Sequence, residues 1–202
     1  MTGHTLMPPR RGRQRSEIAD QAILNATLEV LAEEGFGGLT MAAVIARSAV
    51  SSATLYRRWP TKQDLVAGAL ASLAPAMTDV DTGSLEGDIA ALINGLAEAL
   101  SAQRDDLAEA VAHELRRNPD FRAAVNDKFL RPRLAVFDSV LRRARERGEL
   151  GQGVTTTVAY SFVSGPLHHR VFVLGEAANP AFRRSVVTGA LAALRALAPP
   201  SP

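Results

Sequence analysis

Cysteine is absent from the 202-residue chain. This absence excludes disulfide bonds and thiolate zinc sites, and it suits the reducing interior of a cell. Apolar runs long enough to span a bilayer are also missing, because the histidines and arginine at 168–170 and Arg195 interrupt the longest ones. The basic N-terminus lacks the apolar stretch that follows in a secretory signal. We therefore expect a cytoplasmic protein with no membrane partner.

Net charge is low, at +2, but it is unevenly distributed. Residues 1–16 carry four arginines and no acid, whereas residues 17–39 carry five acids and no base. Residues 40–63 again carry four basic residues and no acid. Positive charge is thus concentrated in an N-terminal arm and in one later segment, and this distribution favours a nucleic-acid partner.

A period-two alternation long enough for a β-strand is missing as well, and apolar residues recur at helical spacing. Ser16 is the predicted N-cap of the first helix and Gly35 its predicted stop, while Thr40 is predicted to cap the second. Thr61 and Asp64 resemble a capping box that opens a fourth helix at Lys62. The other helices are expected at about 41–47, 52–58, 84–102, 104–117, 119–148, 154–175 and 179–197. The sequence thus predicts a mainly α protein with a small N-terminal unit and a larger helical bundle.

The stretch SAVSSATLYRRWPTK, residues 48–62, has the chemistry of a DNA-reading helix. Small and polar residues at its start suit base edges in the major groove, and the donors that follow suit phosphates. A lysine beside the free amides of the next helix would add a phosphate site. The alternative interpretation is a basic, solvated helix hairpin without a DNA partner. The residues concerned are Ser51, Ser52, Thr54, Tyr56, Arg57, Arg58 and Lys62.

Residues 16–66 resemble the DNA-binding domain of the TetR family of bacterial transcriptional regulators. The resemblance lies in Thr40, Val50, Ser51, Thr54, Leu55, Tyr56, Trp59 and Lys62, which fall in register with the family pattern. It implies an all-α fold, with a three-helix helix-turn-helix head and a roughly six-helix C-terminal bundle that dimerises through its last two helices. The implied domains are a flexible basic arm at 1–15, the DNA-binding domain at 16–66 and a ligand-binding and dimerisation domain at 67–202.

The resemblance also assigns roles to single residues. Phosphate contacts are implied for Thr40, Thr54, Tyr56 and Lys62, and Arg58 stands where the family often has histidine. Ser51, Ser52 and Arg57 are expected to face the groove, and Arg11, Arg13 and Arg15 are expected to enter the adjacent minor groove.

Two residues depart from the family pattern in the turn. Ala49 stands where glycine is usual, at a position that commonly needs a positive φ, at a cost of about 1 kcal/mol for alanine. Ile45 stands where a small alanine usually packs between the two helices. We expect these two residues to alter the geometry of the turn.

The segment 162–182 resembles a TetR subgroup whose eighth helix contains a Gly-Pro-Leu-aromatic-aromatic-Arg segment. Two apolar stripes run along this part of the chain, and two stripes need two partners, one of which is most simply a second subunit. The alternative is that both of the last helices are core helices of a monomer. One stripe is Val158, Phe162, Gly165 and Phe172, and the other is Val163, Leu167, Val171 and Leu174. The expected dimer-interface residues are Phe162, Gly165, Phe172, Phe182, Val186, Gly189, Ala190 and Ala193.

Catalytic and metal-binding patterns are lacking, so we expect neither an enzyme nor a cofactor or metal site. Candidate ligand-pocket residues, each of which could equally be core, are His113, Phe121, Phe137, Tyr160, His168 and Phe172. The basic run between Arg131 and Arg147 is expected to be a solvated helix face, since acids are interleaved with it. The favoured function is a homodimeric repressor that binds a palindromic double-stranded DNA operator and is released by a small-molecule effector. The alternatives are a DNA-binding regulator without a small-molecule ligand, constitutive or controlled by a protein partner, and an enzyme on a helical scaffold.

Overall fold

The computed structural model describes residues 11–73, 77–101, 111 and 113–199, with the backbone alone at 11–15. In this part of the chain the regular structure is helical and contains no strand, which confirms the predicted all-α class. The helices are α1 (Arg11–Gly38), α2 (Met41–Ser48), α3 (Ser52–Arg58), α4 (Lys62–Leu73), α5 (Leu85–Ser101), α6 (Pro119–Val125), α7 (Arg131–Glu146), α8 (Thr156–His168) and α9 (Pro180–Leu197). A π-helical turn, Asn126–Leu130, joins α6 to α7, and a second, His169–Val173, follows α8. Residues 113–117 are also helical.

Helix α1 follows its apolar pattern but begins earlier than expected. The predicted N-cap at Ser16 is wrong, because α1 starts at Arg11; the arginines and glutamine before Ser16 are good helix formers and extend it. At the predicted stop, Gly35 has φ 67° and ψ 178°, outside the helical region, so the helix breaks there as predicted, although residues up to Gly38 continue α1 beyond the break. Residues 11–15 of the expected flexible arm therefore lie in a helix, and residues 1–10 lie outside the described residues.

The described residues divide into two compact units. Residues from 1–72 and 109–124 form the first, here called the head unit, and residues from 73–108 and 125–202 form the second, the body unit. The head unit ends later than the expected boundary after residue 66, because α4 continues without a break to Leu73. It also takes in described residues of the segment 109–124, which lies within the bundle expected at 67–202.

In the body unit, α5 packs against α7, α8 and α9. The apolar positions of these helices meet in one continuous core, as their helical spacing predicts. The largest side chains that are completely buried there are Leu85, Ile89, Ile93, Phe137, Leu141 and Leu167.

A cluster of ionic contacts fastens the segment before α5 to the end of α7. Buried Asp88 accepts hydrogen bonds from the backbone N–H of Thr82 (2.7 Å) and from its hydroxyl (2.8 Å). Arg147 donates to Asp88 (3.3 Å) and to Glu149, and Glu149 accepts from the Leu85 N–H at 2.7 Å. A further ion pair in the same cluster joins Arg143 to Asp79 at 2.7 Å. We call these contacts together the α5–α7 clasp.

The clasp corrects the expectation of a solvated basic face on α7. Arg143 near the end of α7 and Arg147 just after it are largely covered, because they pair with acids that lie outside α7. Burial alone would raise the pKa of Asp88, but hydrogen bonds from Thr82 and Arg147 outweigh it and lower that pKa below its ordinary value. Arg133, in the same basic run, is buried with only 6% of its surface exposed.

Among the described residues, no helix has the length and apolar character needed to cross a membrane.

Candidate nucleic-acid interface

Helices α2 and α3 form the predicted helix-turn-helix. Thr40 caps α2 as expected, with its hydroxyl accepting a hydrogen bond from the Ala43 N–H at 3.1 Å. The turn places Ala49 at φ 54° and ψ 23°, and no other non-glycine residue in the described part of the chain has a positive φ. Alanine in this left-handed region carries the strain of about 1 kcal/mol that the sequence predicts. Ile45 is half-buried on the last turn of α2.

The inner face of α3 is held by the burial of Leu55 and by the packing of Trp59, the residue after the helix, on α4. Leu55 is completely buried, as is Val44 on α2. Trp59, just after α3, lies against Gly68 of α4 so closely that a Cβ there would be 2.6 Å from the indole Nε1. A small residue at 68 is therefore needed for the tryptophan to hold the end of α3. These contacts decide which side of α3 remains outside.

The outer face of α3 is polar and open to solvent. Ser51, Ser52, Tyr56 and Arg57 are exposed, with 49% of the Tyr56 surface accessible. The hydroxyls of Ser51 and Thr54 lie 3.0 Å apart and hydrogen bond to each other. The first turn of α3 thus presents hydroxyl groups, and its last turn presents a phenol and a guanidinium. This arrangement matches small polar groups for base edges and donors for phosphates.

The adjacent arginines of α3 have different surroundings. Arg57 is exposed, whereas Arg58 is half-buried and pairs with Asp20 of α1. The Arg58 guanidinium also donates to the hydroxyl and the carbonyl oxygen of Ser16. Arg58 therefore joins α3 to α1 within the head unit, and its expected contact with DNA stays a prediction. Asp20 and Arg58 are 38 residues apart in the chain, and this spacing gives no sequence signal for the pair.

Lys62 lies at the start of α4, where the Thr61–Asp64 capping box is confirmed. Its ammonium is 4.6 Å from the centroid of the Phe36 ring and 3.4 Å from the carbonyl oxygen of Gly37. Burial lowers the pKa of Lys62, and the negative charge of Glu114 opposes that shift. Lys62 is held by a ring and a carbonyl, and its phosphate contact stays a prediction.

The predicted minor-groove arginines are Arg11, Arg13 and Arg15. Their side chains lie outside the described residues, and their backbone belongs to α1.

The six candidate ligand residues are divided between the two units, two in the head unit and four in the body unit. His113 and Phe121 belong to the head unit, where buried Phe121 packs on Phe36 at 4.8 Å between ring centroids. Phe137 and Tyr160 form an edge-to-face pair in the body core at 5.2 Å. The rings of His168 and Phe172 lie 5.6 Å apart between centroids, and the Nδ1 of His168 is 2.8 Å from the Ser164 carbonyl oxygen. Each pair is explained by packing within its own unit.

The expected dimer residues fall into three sets, which are buried, half-buried and exposed. Val186 and Ala190 were expected at the interface but are buried in the chain's own core, because the side of α9 that carries them faces α5 and α8. Phe182 and Ala193 are half-buried. The exposed members are Phe162, Gly165, Phe172 and Gly189, and a Cβ at either glycine would meet open space.

The two stripes of 158–174 separate as a two-partner arrangement requires. Val163 and Leu167 of one stripe are buried, although Leu174 at its end is exposed. The other stripe, which carries Val158 and Phe162, is on the surface. We call its exposed residues, together with Gly189 of α9, the outer α8–α9 face.

The chain matches two known domains. Residues 23–69 match the domain described as bacterial regulatory proteins, tetR family, and residues 79–190 match the tetracyclin repressor-like C-terminal domain. The subgroup motif of 162–182 stays a prediction.

Relatives and solved structures extend this similarity over most of the chain. The chain is 27% identical over 191 residues to the uncharacterized HTH-type transcriptional regulator YdeS of Bacillus subtilis, covering 94% of this chain and 96% of that one. It is 30% identical over 182 residues to the DNA-binding transcriptional repressor TetR of Mycobacteroides abscessus, covering 89% and 95%. The crystal structure of the TetR family transcription regulator SCO0332 superposes with a TM-score of 0.63 at 25% identity, covering 86% of this chain and 97% of that one.

Proposed function

The chain belongs to the TetR family, whose members are DNA-binding transcriptional regulators and not enzymes, and from this premise we propose that it is a cytoplasmic repressor released by a small-molecule effector. As a homodimer it binds a palindromic operator, with α3 of each protomer in successive major grooves about 34–36 Å apart. Supporting this proposal most directly is the outer face of α3, where Ser51, Ser52, Tyr56 and Arg57 stay exposed while Leu55 is buried.

Specific roles follow from this placement. Ser51, Ser52 and Arg57 read base edges, while Thr40, Thr54, Tyr56 and Lys62 hold phosphates on either side. Arg58 supports α3 through Asp20 and reaches phosphate from the edge of the helix. The basic arm, with Arg11, Arg13 and Arg15, enters the adjacent minor groove.

The homodimer is supported by the outer α8–α9 face. Two exposed glycines let two copies of these helices approach closely, and Phe162 and Phe172 supply the apolar area. The effector is supported by the match of 79–190 to the tetracyclin repressor-like C-terminal domain. We propose that it binds the body unit near Phe137, Tyr160, His168 and Phe172, and favours a dimer state with lower affinity for DNA.

The DNA part of this proposal is tested by operator selection. The full chain is used to select binding sites from random duplex DNA, and the expected product is an inverted repeat. Fluorescence anisotropy then compares Lys62→Gln with Arg142→Gln, which removes an exposed arginine from the body unit. We expect Lys62→Gln to weaken binding to operator and non-specific DNA alike and to flatten the salt dependence, by about one counterion per protomer. Equal weakening by both variants would contradict the assigned phosphate contact.

A further inference from the structure

Arg133 is a buried cation for which the described residues supply no carboxylate partner. Only 6% of its surface is exposed, although it lies on α7 in a run of otherwise more accessible arginines. A guanidinium stays protonated in proteins, so it cannot avoid the cost of burial by losing its charge. A buried charge of this kind is expected to have a partner of opposite sign.

The protein supplies Arg133 with dipoles and a ring. Nη1 donates to the carbonyl oxygen of Phe129 at 2.8 Å, and the guanidinium carbon lies 3.6 Å from the centroid of the Phe129 ring. Nε is buried and has no acceptor among the described residues. In the same part of the chain no carboxylate pairs with Arg133. Part of its hydrogen-bonding capacity is therefore unused.

The other arginines of α7 show that carboxylates are available to this helix. Arg142 pairs with Glu146 at 3.1 Å, and Arg143 pairs with Asp79 at 2.7 Å. Both of these are more exposed than Arg133, where a partner would matter less. Arg145, which is half-buried, donates to the backbone carbonyl oxygens of Gly151 and Val154 instead. Arg133 is the most deeply buried arginine of α7, and no carboxylate of the described residues pairs with it.

Tyr160 of α8 interacts electrostatically with Arg133, and Ser164 of the same helix hydrogen bonds to Tyr160. Tyr160 and Ser164 are both buried, and the Tyr160 ring packs edge-to-face on Phe137. Burial raises the pKa of Tyr160, against smaller opposing effects from Arg133 and Ser164. The phenol therefore keeps its proton at neutral pH and can donate a hydrogen bond. Arg133 and Tyr160 interact electrostatically, and each packs on an aromatic ring, Arg133 on Phe129 and Tyr160 on Phe137.

We propose that Arg133 binds the carboxylate of the effector, which is an acid with an apolar body, and that the Tyr160 hydroxyl donates a second hydrogen bond to it. This inference rests on the proposed function, since it names the chemical class of the effector. One carboxylate balances the single charge of Arg133 and matches the planar geometry of its N–H groups. A phosphate monoester would bring close to two negative charges, one of them uncompensated, so a carboxylate is favoured.

The test measures binding to the full chain by isothermal calorimetry, without DNA. The probes are benzoate, phenylacetate, octanoate and dodecanoate, each beside its primary amide, with octyl phosphate as the phosphate arm. We expect at least one acid to bind about tenfold or more tightly than its amide and than octyl phosphate. If no acid exceeds its amide, or if octyl phosphate exceeds every acid, the assignment of a carboxylate site is wrong.

Variants then locate the site. Arg133→Met keeps an unbranched apolar stem and removes the charged guanidinium, and we expect it to weaken binding of that acid about 30-fold. Arg142→Met, at an exposed position of the same helix, should leave binding unchanged. Arg133→Lys keeps the charge without the planar pair of donors, and it should bind more weakly while still preferring acid over amide; it serves as the test if Arg133→Met does not fold. Unchanged binding in a folded Arg133 variant would overturn the proposal.

Operator release separates this inference from the proposed function. If the acid binds through Arg133 but does not dissociate the operator complex, the site stands and its role as the effector site is wrong. If a small molecule dissociates the complex equally in the parent and in Arg133→Met, effector control stands and the assignment to Arg133 is wrong.

Discussion

Two exposed surfaces of this chain differ in chemical character, one being polar and cationic and the other apolar. The outer face of α3 presents hydroxyls, a phenol and the guanidinium of Arg57, whereas the outer α8–α9 face presents Phe162, Phe172 and bare glycines. A polar, cationic surface suits a partner that is itself charged and hydrated, such as DNA. An apolar surface with glycines suits close contact with a second helix pair. The two surfaces therefore suit partners of different chemistry, which is the arrangement that the proposed function requires.

The largest expected effect comes from filling the outer α8–α9 face. Gly165→Trp adds a bulky ring where no neighbour lies within 4 Å, so the folded protomer can accommodate it. In a two-fold symmetric dimer the clash occurs twice, and we expect a loss of about 4 kcal/mol in dimerisation, roughly a thousandfold. Sedimentation equilibrium measures the change. Gly95→Trp, at an exposed open position on α5, is the control and should remain dimeric. An intact Gly165→Trp dimer would exclude this face.

The next largest effect is on the stability that the α5–α7 clasp gives to the body unit. Asp88→Asn removes the buried charge that Arg147 contacts, while Glu86→Gln removes an exposed charge from the same first turn of α5. We expect Asp88→Asn to lower the free energy of unfolding by about 2 kcal/mol and Glu86→Gln to change it little. Urea denaturation gives both values. Equal effects would mean that the charge near the helix start matters, and not the clasp.

The pH dependence of the clasp has a defined sign. The pKa of Asp88 lies below its ordinary value in the folded state, so its charge stabilises the fold at pH above the ordinary range near 4. As the pH falls through the lower folded-state pKa, that contribution is lost. We therefore expect the stability difference between the parent chain and Asp88→Asn to be constant near neutral pH and to shrink below about pH 4. A difference that grows in acid would contradict the assigned ionic role.

Adjacent arginines allow a finer comparison within the head unit. Arg57→Ala should leave stability unchanged and weaken operator binding about tenfold, because this side chain is exposed on the outer face of α3. Arg58→Ala should lower stability by about 1 kcal/mol, because it breaks the contacts with Asp20 and Ser16. Thermal unfolding and anisotropy together distinguish the two. If Arg57→Ala destabilises the fold as much as Arg58→Ala does, the distinction between reading and supporting residues is wrong.

Strain in the turn gives the smallest expected effect. Ala49→Gly removes the cost of a left-handed alanine but adds freedom to the unfolded chain, and the net expectation is a stabilisation of up to about 1 kcal/mol. Ala46→Gly, at an exposed position within α2, is the matched control and should destabilise by a similar amount. Opposite signs for these two variants in urea denaturation are the expected result. Destabilisation by both would show that the turn is not strained.

The local elements were predictable because their signals are local. The cap at Thr40, the break at Gly35 and the capping box at Thr61 all act within four residues, and each is confirmed. Ala49 was likewise predictable, because its position in the turn sets the sign of φ.

Contacts between distant residues could not be read from the sequence. The pairing of Arg58 with Asp20 spans 38 positions between α1 and α3, and the burial of Arg133 depends on how α7 meets α8. The early start of α1 was missed because Ser16 is a good cap in isolation, although the residues before it also favour helix. Val186 and Ala190 were misplaced because an apolar pattern does not say which of two partners a face meets.

In a chain that has no cysteine, the α5–α7 clasp links two distant segments as a disulfide bond would in another protein. It ties residues 79–88 to residues 143–149, which are far apart in the sequence, mainly through arginine and carboxylate groups. Such a fastening forms without an oxidant and is indifferent to thiol reagents, so it holds equally well in any redox environment. Its vulnerability is different: acid, which protonates the carboxylates, opens it, and a reducing agent does not.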